Sequence, residues 1–493
     1  MYGLGGFLTL QTDGRVTSIQ EVLVEFVIDR VVLLAVRKFL IIITIALAGL
    51  PGLWAQVIAI TDVTVINPRT QAVLPHRTVL VERGRIRSIQ SANVKPPRNS
   101  RLINGSQRFL TPGFWDAHVH LTKAGPLSLP LFVANGVTGV RDMGSDFSEV
   151  AKWRSEIDSG RLVGPRIKTA GQMIESRANL DRMKREGTVE PIDRLRIGVA
   201  NPQQARAAVR RLAREGVDHI KMRTTPDLDT FRAVAAEARE KKLPFAAHPV
   251  AAPEELMRVG LRSVEHFLAF PPVDGTPAER RALFQSMARS GLFIADTSVN
   301  LDALTALPYE EVKRRVEDTA GRLDARRPYV CGYLIADWRE QTQELKEPET
   351  VKAYRALRTQ LPVHYRNTRE MREAGVKFLA GTDTAVLLMY PGFSLHDELE
   401  KMVRDFGFTP MDVLRIATSN VPEFYGEEQR LGTIEVGQAA DLVLLDADPL
   451  VNIRNTTKIR GVMAQGRWMD RAALDNLLQE LKRAATSGCH NLR

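Results

Sequence analysis

Short strand-like segments alternate with helix-like segments through the middle of the chain, and this alternation limits the fold more than any other feature. Asn201 followed by Pro202 predicts the start of one helix and Gly216 its end, while Thr225 followed by Pro226 predicts the next start. Eight segments are predicted as strands: Phe114–His120, Thr138–Met143, Arg166–Gly171, His219–Met222, Phe245–His248, Ser263–His266, Leu292–Thr297 and Lys377–Asp383. Such alternation is typical of parallel α/β folds, and eight strands within residues 112–428 predict a (β/α)8 TIM barrel.

Strand patterns also flank this central region on both sides. The alternation from Val79 to Ile89, broken at Gly84, predicts a hairpin. We therefore expect residues 57–111 plus 429–470 to form one small β-sandwich domain built from both ends of the chain. Residues 298–375 are an insertion between strands seven and eight, predicted to be helical and lid-like. Residues 471–493 are predicted as a C-terminal helix.

Residues 1–56 are predicted to be an N-terminal extension and a signal peptide. Residues 39–55 read FLIIITIALAGLPGLWA and follow the basic pair Arg37 and Lys38, as in a secretory signal. An uncleaved membrane anchor and a buried helix are the alternatives, but the apolar run is short and is interrupted by glycine and proline. Val36 precedes the basic pair directly and is a candidate translation start. The expected location is periplasmic or secreted, with membrane contact only through the signal peptide.

Composition excludes several classes of protein. The chain has 493 residues and a net charge of +10, but aromatic residues make up only 6% and the basic residues are scattered among acidic ones. This argues against nucleic-acid binding and leaves a small-molecule substrate as the expected partner. Two cysteines, Cys331 and Cys489, exclude a disulfide framework and a multi-cysteine zinc site. A homo-oligomeric state stays open.

Metal-ligating residue types lie at the carboxyl ends of the predicted strands, where barrel enzymes place their chemistry. His118 and His120 are two residues apart on one strand, so their side chains point to the same side. A single strand-end histidine is more often a hydrogen-bonded core residue, but four of the nine histidines share this position with a lysine and an aspartate. The sequence therefore predicts a metal centre among His118, His120, His248, His266 and Asp383, with Lys221 in the same ring of strand ends.

Other residues near the strand ends carry weaker predictions. Arg223 and Tyr390 follow strand ends and are candidates for binding a substrate carboxylate. His396 is expected to support the loop after strand eight, with substrate contact as the alternative. His219 lies deeper in its strand and is not expected to bind metal. Arg141–Asp142, at the end of the second predicted strand, is expected to be a structural pair.

Several motifs occur in a characteristic order. They are FWDAHVH (114–120), HIKM (219–222), AAH (246–248), VEH (264–266), GTD (381–383) and LGTIEVGQAADLVLLDADP (431–449). This set resembles the amidohydrolase superfamily over roughly residues 57 to 470. The lysine after strand four and the run GFSLHDELE (392–400) resemble the imidazolonepropionase-like and prolidase-like branch. That branch includes metal-dependent dipeptidases acting on Xaa-Pro and related substrates.

The resemblance implies a site for two divalent metals per chain, usually zinc. It assigns the buried metal to His118, His120 and Asp383, the more exposed metal to His248 and His266, and a bridge between them to carboxylated Lys221. A neutral lysine amine can add carbon dioxide, and two adjacent cations then stabilise the resulting anion; the alternative for Lys221 is an ordinary ion-pairing lysine. The catalytic residue implied is Asp383, as general base and then acid.

The function predicted from this resemblance is hydrolysis of a C–N amide bond by metal-activated hydroxide. The substrate expected is small and carries a carboxylate, such as a dipeptide or an N-acyl amino acid. A one-metal, cyclic-amide hydrolase of the imidazolonepropionase type and a lactone or phosphotriester hydrolase are the alternatives. A catalytically silent binding protein is a third, and the complete set of candidate ligands argues against it.

Overall fold

The computed structural model describes residues 9–12, 15–18, 57–266, 273, 275–330 and 332–488. The chain forms two compact units, Met1–Gln56 and Val57–Arg493. In the first unit, strands β1 (Thr9–Thr12) and β2 (Arg15–Ser18) pair antiparallel. The predicted signal segment 39–55 and both cysteines lie outside the described residues.

Five strands open the second unit: β3 (Ile58–Asn67), β4 (Ala72–Glu82), β5 (Arg85–Ser91), β6 (Arg101–Asn104) and β7 (Phe109–Pro112). The hairpin predicted around Gly84 is confirmed, because β4 and β5 pair antiparallel with Glu82 opposite Arg85. The two turn residues, Arg83 and Gly84, both have positive φ, at 51° and 70°. Such two-residue turns match the twist of the strands they connect.

Ten further strands occupy the middle of the chain. They are β8 (Phe114–Val119), β9 (Val137–Asp142), β10 (Arg166–Thr169), β11 (Met173–Ser176), β12 (Arg196–Val199), β13 (Ile220–Met222), β14 (Phe245–Ala247), β15 (Ser263–Glu265), β16 (Phe293–Ala295) and β17 (Lys377–Leu379). All their pairings are parallel, in the orders β10-β9-β8 and β12-β11-β13-β14-β15-β16-β17. The eight predicted strands are all present, most of them shorter than expected, and β11 and β12 are additional.

Backbone hydrogen bonds connect the two parallel sheets to each other at two places. The amide of Asp218, before β13, donates to Thr169 in β10 at 2.8 Å. The amide of Ala117 in β8 donates to Ala380 at 2.7 Å, and that of Asp383 donates to His118 at 2.8 Å, both joining β8 to the end of β17. The parallel strands alternate with helices, which confirms the predicted α/β class.

Helices cover the strands. They are α1 (Leu121–Ala124), α2 (Ser128–Ala134), α3 (Phe147–Asp158), α4 (Arg177–Glu186), α5 (Ile192–Leu195), α6 (Pro202–Glu215), α7 (Leu228–Glu240), α8 (Pro253–Arg258) and α9 (Pro277–Ser290). The predicted start of α6 is confirmed, because the Asn201 side chain accepts from the amide of Gln204 at 3.0 Å. The predicted start at Thr225 is wrong by two residues. Asp227 caps α7 instead, since its carboxylate accepts from the amide of Thr230 at 2.7 Å.

The insertion between β16 and β17 is helical in its described residues, as predicted. It contains α10 (Ser298–Ala306), α11 (Tyr309–Val316), a 3-10 turn (Arg327–Tyr329), α12 (Gly332–Glu344) and α13 (Pro348–Glu373). Its apolar core includes Val312, Leu334 and the fully buried Trp338, packed against Leu387 after β17. This packing anchors α12 beside the carboxyl ends of the strands.

Three helices, three strands and a last helix follow β17. Helices α14 (Phe393–Phe406), α15 (Pro410–Ile416) and α16 (Asn420–Phe424) precede strands β18 (Leu442–Leu445), β19 (Ile459–Ala464) and β20 (Arg467–Asp470), and a second 3-10 turn (Ile453–Thr457) separates β18 from β19. The last helix, α17 (Arg471–Thr486), follows β20 directly, as the predicted C-terminal helix does.

Strands from both ends of the second unit share one eight-stranded sheet, ordered β20-β19-β18-β7-β3-β4-β5 with β6 beside β3. Val65, Leu110 and Leu444 are fully buried in the core of this sheet. The segment GTIEV (432–436) is not a strand. The two-layer sandwich expected for this domain stays a prediction. Within the described helices, none has both the length and the hydropathy needed to cross a bilayer.

Candidate metal centre

A cavity of about 440 Å³ opens at the carboxyl ends of the parallel strands. Five of the six predicted ligands line it: His120, Lys221, His248, His266 and Asp383. The sixth, His118, is fully buried at the end of β8. His120, His248 and His266 each directly follow a strand, and Asp383 lies four residues beyond β17. His118 and Lys221 lie within strands β8 and β13. Parallel strands thus bring side chains distant in sequence to one place.

His118, His120 and Asp383 form the tightest group. One ligand atom from each lies within 4.8 Å of the others. The Oδ1 atom of Asp383 is 3.3 Å from His120 Nε2 and 3.6 Å from His118 Nε2. Burial alone would raise the pKa of Asp383, but His266 and His118 outweigh burial and hold this pKa well below its usual range. A carboxylate and two imidazole nitrogens at these separations suit one divalent ion such as zinc.

His266 and His248 lie on the other side of Asp383. Asp383 Oδ2 is 3.8 Å from His266 Nε2, and the ring centres of His266 and His248 are 4.8 Å apart. Burial lowers the pKa of His266 to about 4 and that of His248 well below its usual range, so both rings are neutral at pH 7. Neutral imidazole is the form that binds metal.

Two buried nitrogen atoms in this group have no hydrogen-bond partner among the described residues: His118 Nε2 and Lys221 Nζ. An unsatisfied buried polar atom is costly, typically by about 1–3 kcal/mol. Burial lowers the pKa of Lys221 to about 7 and that of His118 to about 3, so His118 is neutral and Lys221 is readily deprotonated. Unpaired neutral nitrogens beside a carboxylate are what a metal site requires, and the residues therefore fit a metal centre.

Backbone strain coincides with the site. His266, Thr297 and Asp383 each follow a strand of the parallel sheet, and each has a positive φ, at 57°, 50° and 59°. Residues with a side chain rarely adopt this conformation, and where they do so they cluster at functional sites. All three residues line the cavity.

Residues without a predicted role hold the ligands in place. His118 Nδ1 lies 2.8 Å from Glu265 Oε2, His120 Nδ1 lies 3.2 Å from the carbonyl oxygen of Gly144, and His266 Nδ1 lies 2.7 Å from Thr297 Oγ1. Each contact leaves Nε2 as the metal-facing nitrogen, because Nδ1 donates to the neighbouring oxygen. The sequence signal for Glu265 was an acidic residue inside an otherwise apolar strand, next to His266.

The structural pair predicted for Arg141 and Asp142 is wrong. Arg141 is fully buried and donates to Glu265 Oε2 at 2.7 Å, to Ser263 Oγ at 3.0 Å and to the carbonyl oxygen of Ala117. Asp142 instead accepts from the amide of Leu121 and from the hydroxyls of Ser145 and Thr169. Consecutive strand residues point to opposite faces, so these two side chains cannot meet.

Of the three substrate candidates, Arg223 alone lines the cavity within the described part of the chain. Tyr390 is 1% exposed and packs on Trp338 with ring centres 5.3 Å apart. His396 is also buried, and its ring nitrogens lie 2.9 Å from Thr456 Oγ1 and 3.0 Å from the carbonyl oxygen of Asn135. The placement of Tyr390 and His396 argues against substrate contact.

His219 lies apart from the cavity lining, in keeping with its weak prediction. Its Nε2 contacts Met143 Sδ at 3.3 Å, and its Nδ1 lies 3.0 Å from the hydroxyl of Tyr425. Both ring nitrogens are therefore occupied within the protein.

The chain resembles several known proteins in sequence and in structure. Over 385 residues the chain is 23% identical to ochratoxinase from Aspergillus niger, covering 70% of this chain and 72% of that protein. Over 402 residues it is 23% identical to imidazolonepropionase from Alkaliphilus oremlandii (strain OhILAs), covering 80% and 87%. The crystal structure of a Xaa-Pro dipeptidase with bound methionine in the active site superposes with a TM-score of 0.64 at 20% identity, covering 84% of this chain and all of that one.

The structural likeness shows the shared fold. The amidohydrolase family matches residues 109–469, a range that includes all six candidate ligands and most of the described chain. The family and the named relatives are hydrolases, and the enzyme acts on carbon–nitrogen bonds. The protein belongs to the amidohydrolase family.

Proposed function

We propose that this protein is a metal-dependent amidohydrolase that cleaves the C–N amide bond of a small, carboxylate-bearing substrate such as a dipeptide or an N-acyl amino acid. The observation that carries the proposal is the convergence of six side chains at one cavity: His118, His120, Lys221, His248, His266 and Asp383. Two of their buried nitrogen atoms, His118 Nε2 and Lys221 Nζ, have no hydrogen-bond partner among the described residues. The prolidase-like neighbours among solved structures support the substrate class.

We infer that the two parallel sheets close into a (β/α)8 barrel, supported by the backbone bonds that join β8 to β17 and β10 to the start of β13. We infer further that the site holds two divalent ions per chain, with zinc the preferred metal. The donor grouping supports this assignment: His118, His120 and Asp383 for one ion, and His248 and His266 for the other. Bound divalent ions would acidify water and polarise the amide carbonyl.

Lys221 is proposed to bridge the two ions as a carboxylated amine. Its Nζ is buried, has no partner among the described residues, and has a pKa of about 7, so the neutral amine that adds carbon dioxide is well populated. A protonated lysine at this position would instead repel cations. Carboxylation converts Lys221 from a repelling group into a ligand.

Asp383 is proposed to move the proton during hydrolysis. It is ionised and faces the cavity, and Asn300 Nδ2 donates to its Oδ2 at 3.3 Å. Asn300 and His120 orient the carboxylate so that it can take a proton from the attacking water and give it to the leaving nitrogen. An amine leaving group needs that proton, because an amide anion is a poor leaving group.

Arg223 is proposed to anchor the substrate carboxylate. Its side chain is 39% exposed in the cavity wall, and its nearest acid, Glu175 Oε2, is 3.4 Å from Nη1. Glu175 is already paired more closely with Arg196, at 2.7 Å. The guanidinium of Arg223 is thus available for a carboxylate, which it can bind with two parallel hydrogen bonds.

A cyclic-amide hydrolase with one metal is the second candidate. It is favoured by the 23% identity to imidazolonepropionase over most of both chains. The test is a screen of purified, metal-loaded protein against dipeptides, N-acyl amino acids, cyclic ureides and lactones. Cleavage of linear amides supports the first function, and turnover confined to ureides or lactones contradicts it.

A further inference from the structure

The charges that line the cavity are unevenly distributed. On the wall that carries Arg223, carboxylates and guanidinium groups alternate: Glu190 lies 2.8 Å and Glu175 2.7 Å from Arg196, and Glu175 lies 3.4 Å from Arg223. Two acids therefore face two arginines. This wall is electrically balanced before substrate binds, and it offers Arg223 as an anion site.

Helix α12 presents Asp337, Glu340 and Glu344 to the same cavity. We call these three residues the acidic face of α12. Spacings of three and four residues put side chains on one face of a helix. Among the described residues, Lys123 is the cation paired with this face, with its Nζ 3.2 Å from Asp337 Oδ1. The acidic face thus carries more negative charge than Lys123 can neutralise.

Glu340 and Glu344 have no ion pair within the described residues. Glu340 accepts from the amide of Val189 at 3.0 Å and from the hydroxyl of Thr188 at 3.0 Å, and both donors are neutral. Burial and the neighbouring acids Glu340 and Asp337 raise the pKa of Glu344 above its usual value. Like charges held together without a counter-ion are destabilising, and a bound cation relieves that repulsion.

A second observation ties this charge to a ligand. The same cavity contains a further acid, Asp296, which is 2% exposed. Asp296 Oδ2 is 3.1 Å from His364 Nε2, whereas Oδ1 has no hydrogen-bond partner among the described residues. The acidic face therefore lines a cavity that also holds a buried carboxylate oxygen without a partner, Asp296 Oδ1, and is not an isolated surface cluster.

We propose that the substrate of this site carries a cationic group, an alkylammonium or a guanidinium, which the acidic face of α12 binds while Arg223 binds the carboxylate. The inference rests on the proposed amide hydrolysis and narrows its substrate class. It excludes N-acyl amino acids and cyclic amides that carry no cationic group as preferred substrates. It also gives the insertion a role in choosing the substrate, beyond restricting its size.

Three matched amides test the inference on the metal-loaded enzyme: alanyl-lysine, alanyl-norleucine and propionyl-norleucine. The first pair differs in a side-chain amine, and the second pair in the α-amine. We expect kcat/KM to fall by about tenfold or more at one of these steps, the size of one charged hydrogen bond. The step at which it falls identifies the source of the cation. Equal values for all three amides would overturn the inference and leave amide hydrolysis intact.

The double variant Glu340→Gln/Glu344→Gln assigns the preference to α12. Glutamine keeps the acceptor for Val189, and the variant should bring the discriminating ratio of kcat/KM close to one. Glu310→Gln/Glu349→Gln, which removes two exposed acids from the same insertion, is the matched control and should keep the wild-type ratio. An unchanged ratio in the first variant would contradict the role of the acidic face.

Calorimetry separates this inference from the proposed function. Metal-loaded protein is titrated with L-lysine and with L-norleucine, neither of which has an amide to cleave. About tenfold tighter binding of lysine, lost in Glu340→Gln/Glu344→Gln, supports the cation site even if no amide is hydrolysed, in which case only the proposed reaction fails. Equal affinities for L-lysine and L-norleucine, together with equal kcat/KM for the three amides, would show that the cavity has no cation site.

Discussion

Glu265 Oε2 lies between two fully buried side chains, 2.8 Å from His118 Nδ1 and 2.7 Å from Arg141 Nη2. Burial alone would raise the pKa of Glu265, but Arg141 and His118 hold this pKa well below its usual range. The carboxylate therefore stays charged, fixes the ring of His118 and leaves Nε2 facing the site.

Replacing Glu265 should weaken metal binding. Glu265→Gln is expected to lower metal affinity by about 10–100-fold, as for other residues that orient a metal ligand. It also leaves Arg141 charged and unpaired, which costs about 3–5 kcal/mol of stability. Chelator competition measures the first effect and thermal unfolding of the metal-free protein the second.

The double variant Arg141→Met/Glu265→Gln separates these two effects. It should recover part of the stability while the weakened metal affinity remains. Glu254→Gln, on the exposed side of α8, serves as the control. Wild-type metal affinity in Glu265→Gln would show that His118 needs no such partner.

Metal content tests the two-ion site. Elemental analysis of protein saturated with zinc should find about two divalent ions per chain, because the proposed site holds two metal ions. Removing metal with a chelator should abolish amide hydrolysis, and adding zinc should restore it. One ion at saturation with full activity would favour the cyclic-amide function instead.

Lys221→Ala should lose metal and activity together. The substitution removes the proposed bridge, and a short carboxylic acid in the buffer should restore part of both by occupying the space left by the side chain. Metal content and rate are measured with and without the acid. A variant with wild-type metal content and rate would rule out the bridge.

Asp383→Asn should reduce amide hydrolysis severely, by about 100-fold or more, because proton transfer to the leaving nitrogen is lost. Activated esters should suffer less, since their leaving groups depart without a proton. Rates for both substrates are compared in wild type and variant at equal metal content. Equal losses would mean that Asp383 serves the metal and not the leaving group.

We propose that the protein is exported. Arg37, Lys38 and the apolar run that follows imply a mature chain beginning near Gly49 or Gln56. N-terminal sequencing of the protein from its native source gives the answer directly. A mature protein that kept residues 1–55 would refute cleavage.

The sequence predicted the parts of the site that depend on strand periodicity. His118 and His120 share a side because residues two apart on a strand do so, and all six candidate ligands meet because parallel strands end at one level. The roles of Arg141 and Glu265 depend on which side chains face each other across three strands. Adjacency in sequence suggested Asp142 as the partner of Arg141, whereas the sheet places Glu265 beside Arg141.

The helical insertion shows the other limit. Its charged residues predicted helices, but the direction of the α12 face depends on how Trp338 packs against the segment after β17. The same packing buries Tyr390, which its position after a strand had made a substrate candidate. Strands β11 and β12 depart from the alternation of strands and helices on which the prediction relied, because no helix separates β10 from β11 and the four-residue helix α5 leads directly into β12.

Strand β7 ends at Pro112, yet its antiparallel partner β18 begins only at Leu442. During synthesis, β7 can pair with β18 only after almost the whole polypeptide has been made. Contacts between residues so far apart in sequence form slowly. A fragment that stops before Leu442 would expose the edge of β7 to other chains, which favours aggregation. A truncation that removes β18, β19 and β20 should therefore reduce solubility, although it leaves all candidate catalytic residues in the chain.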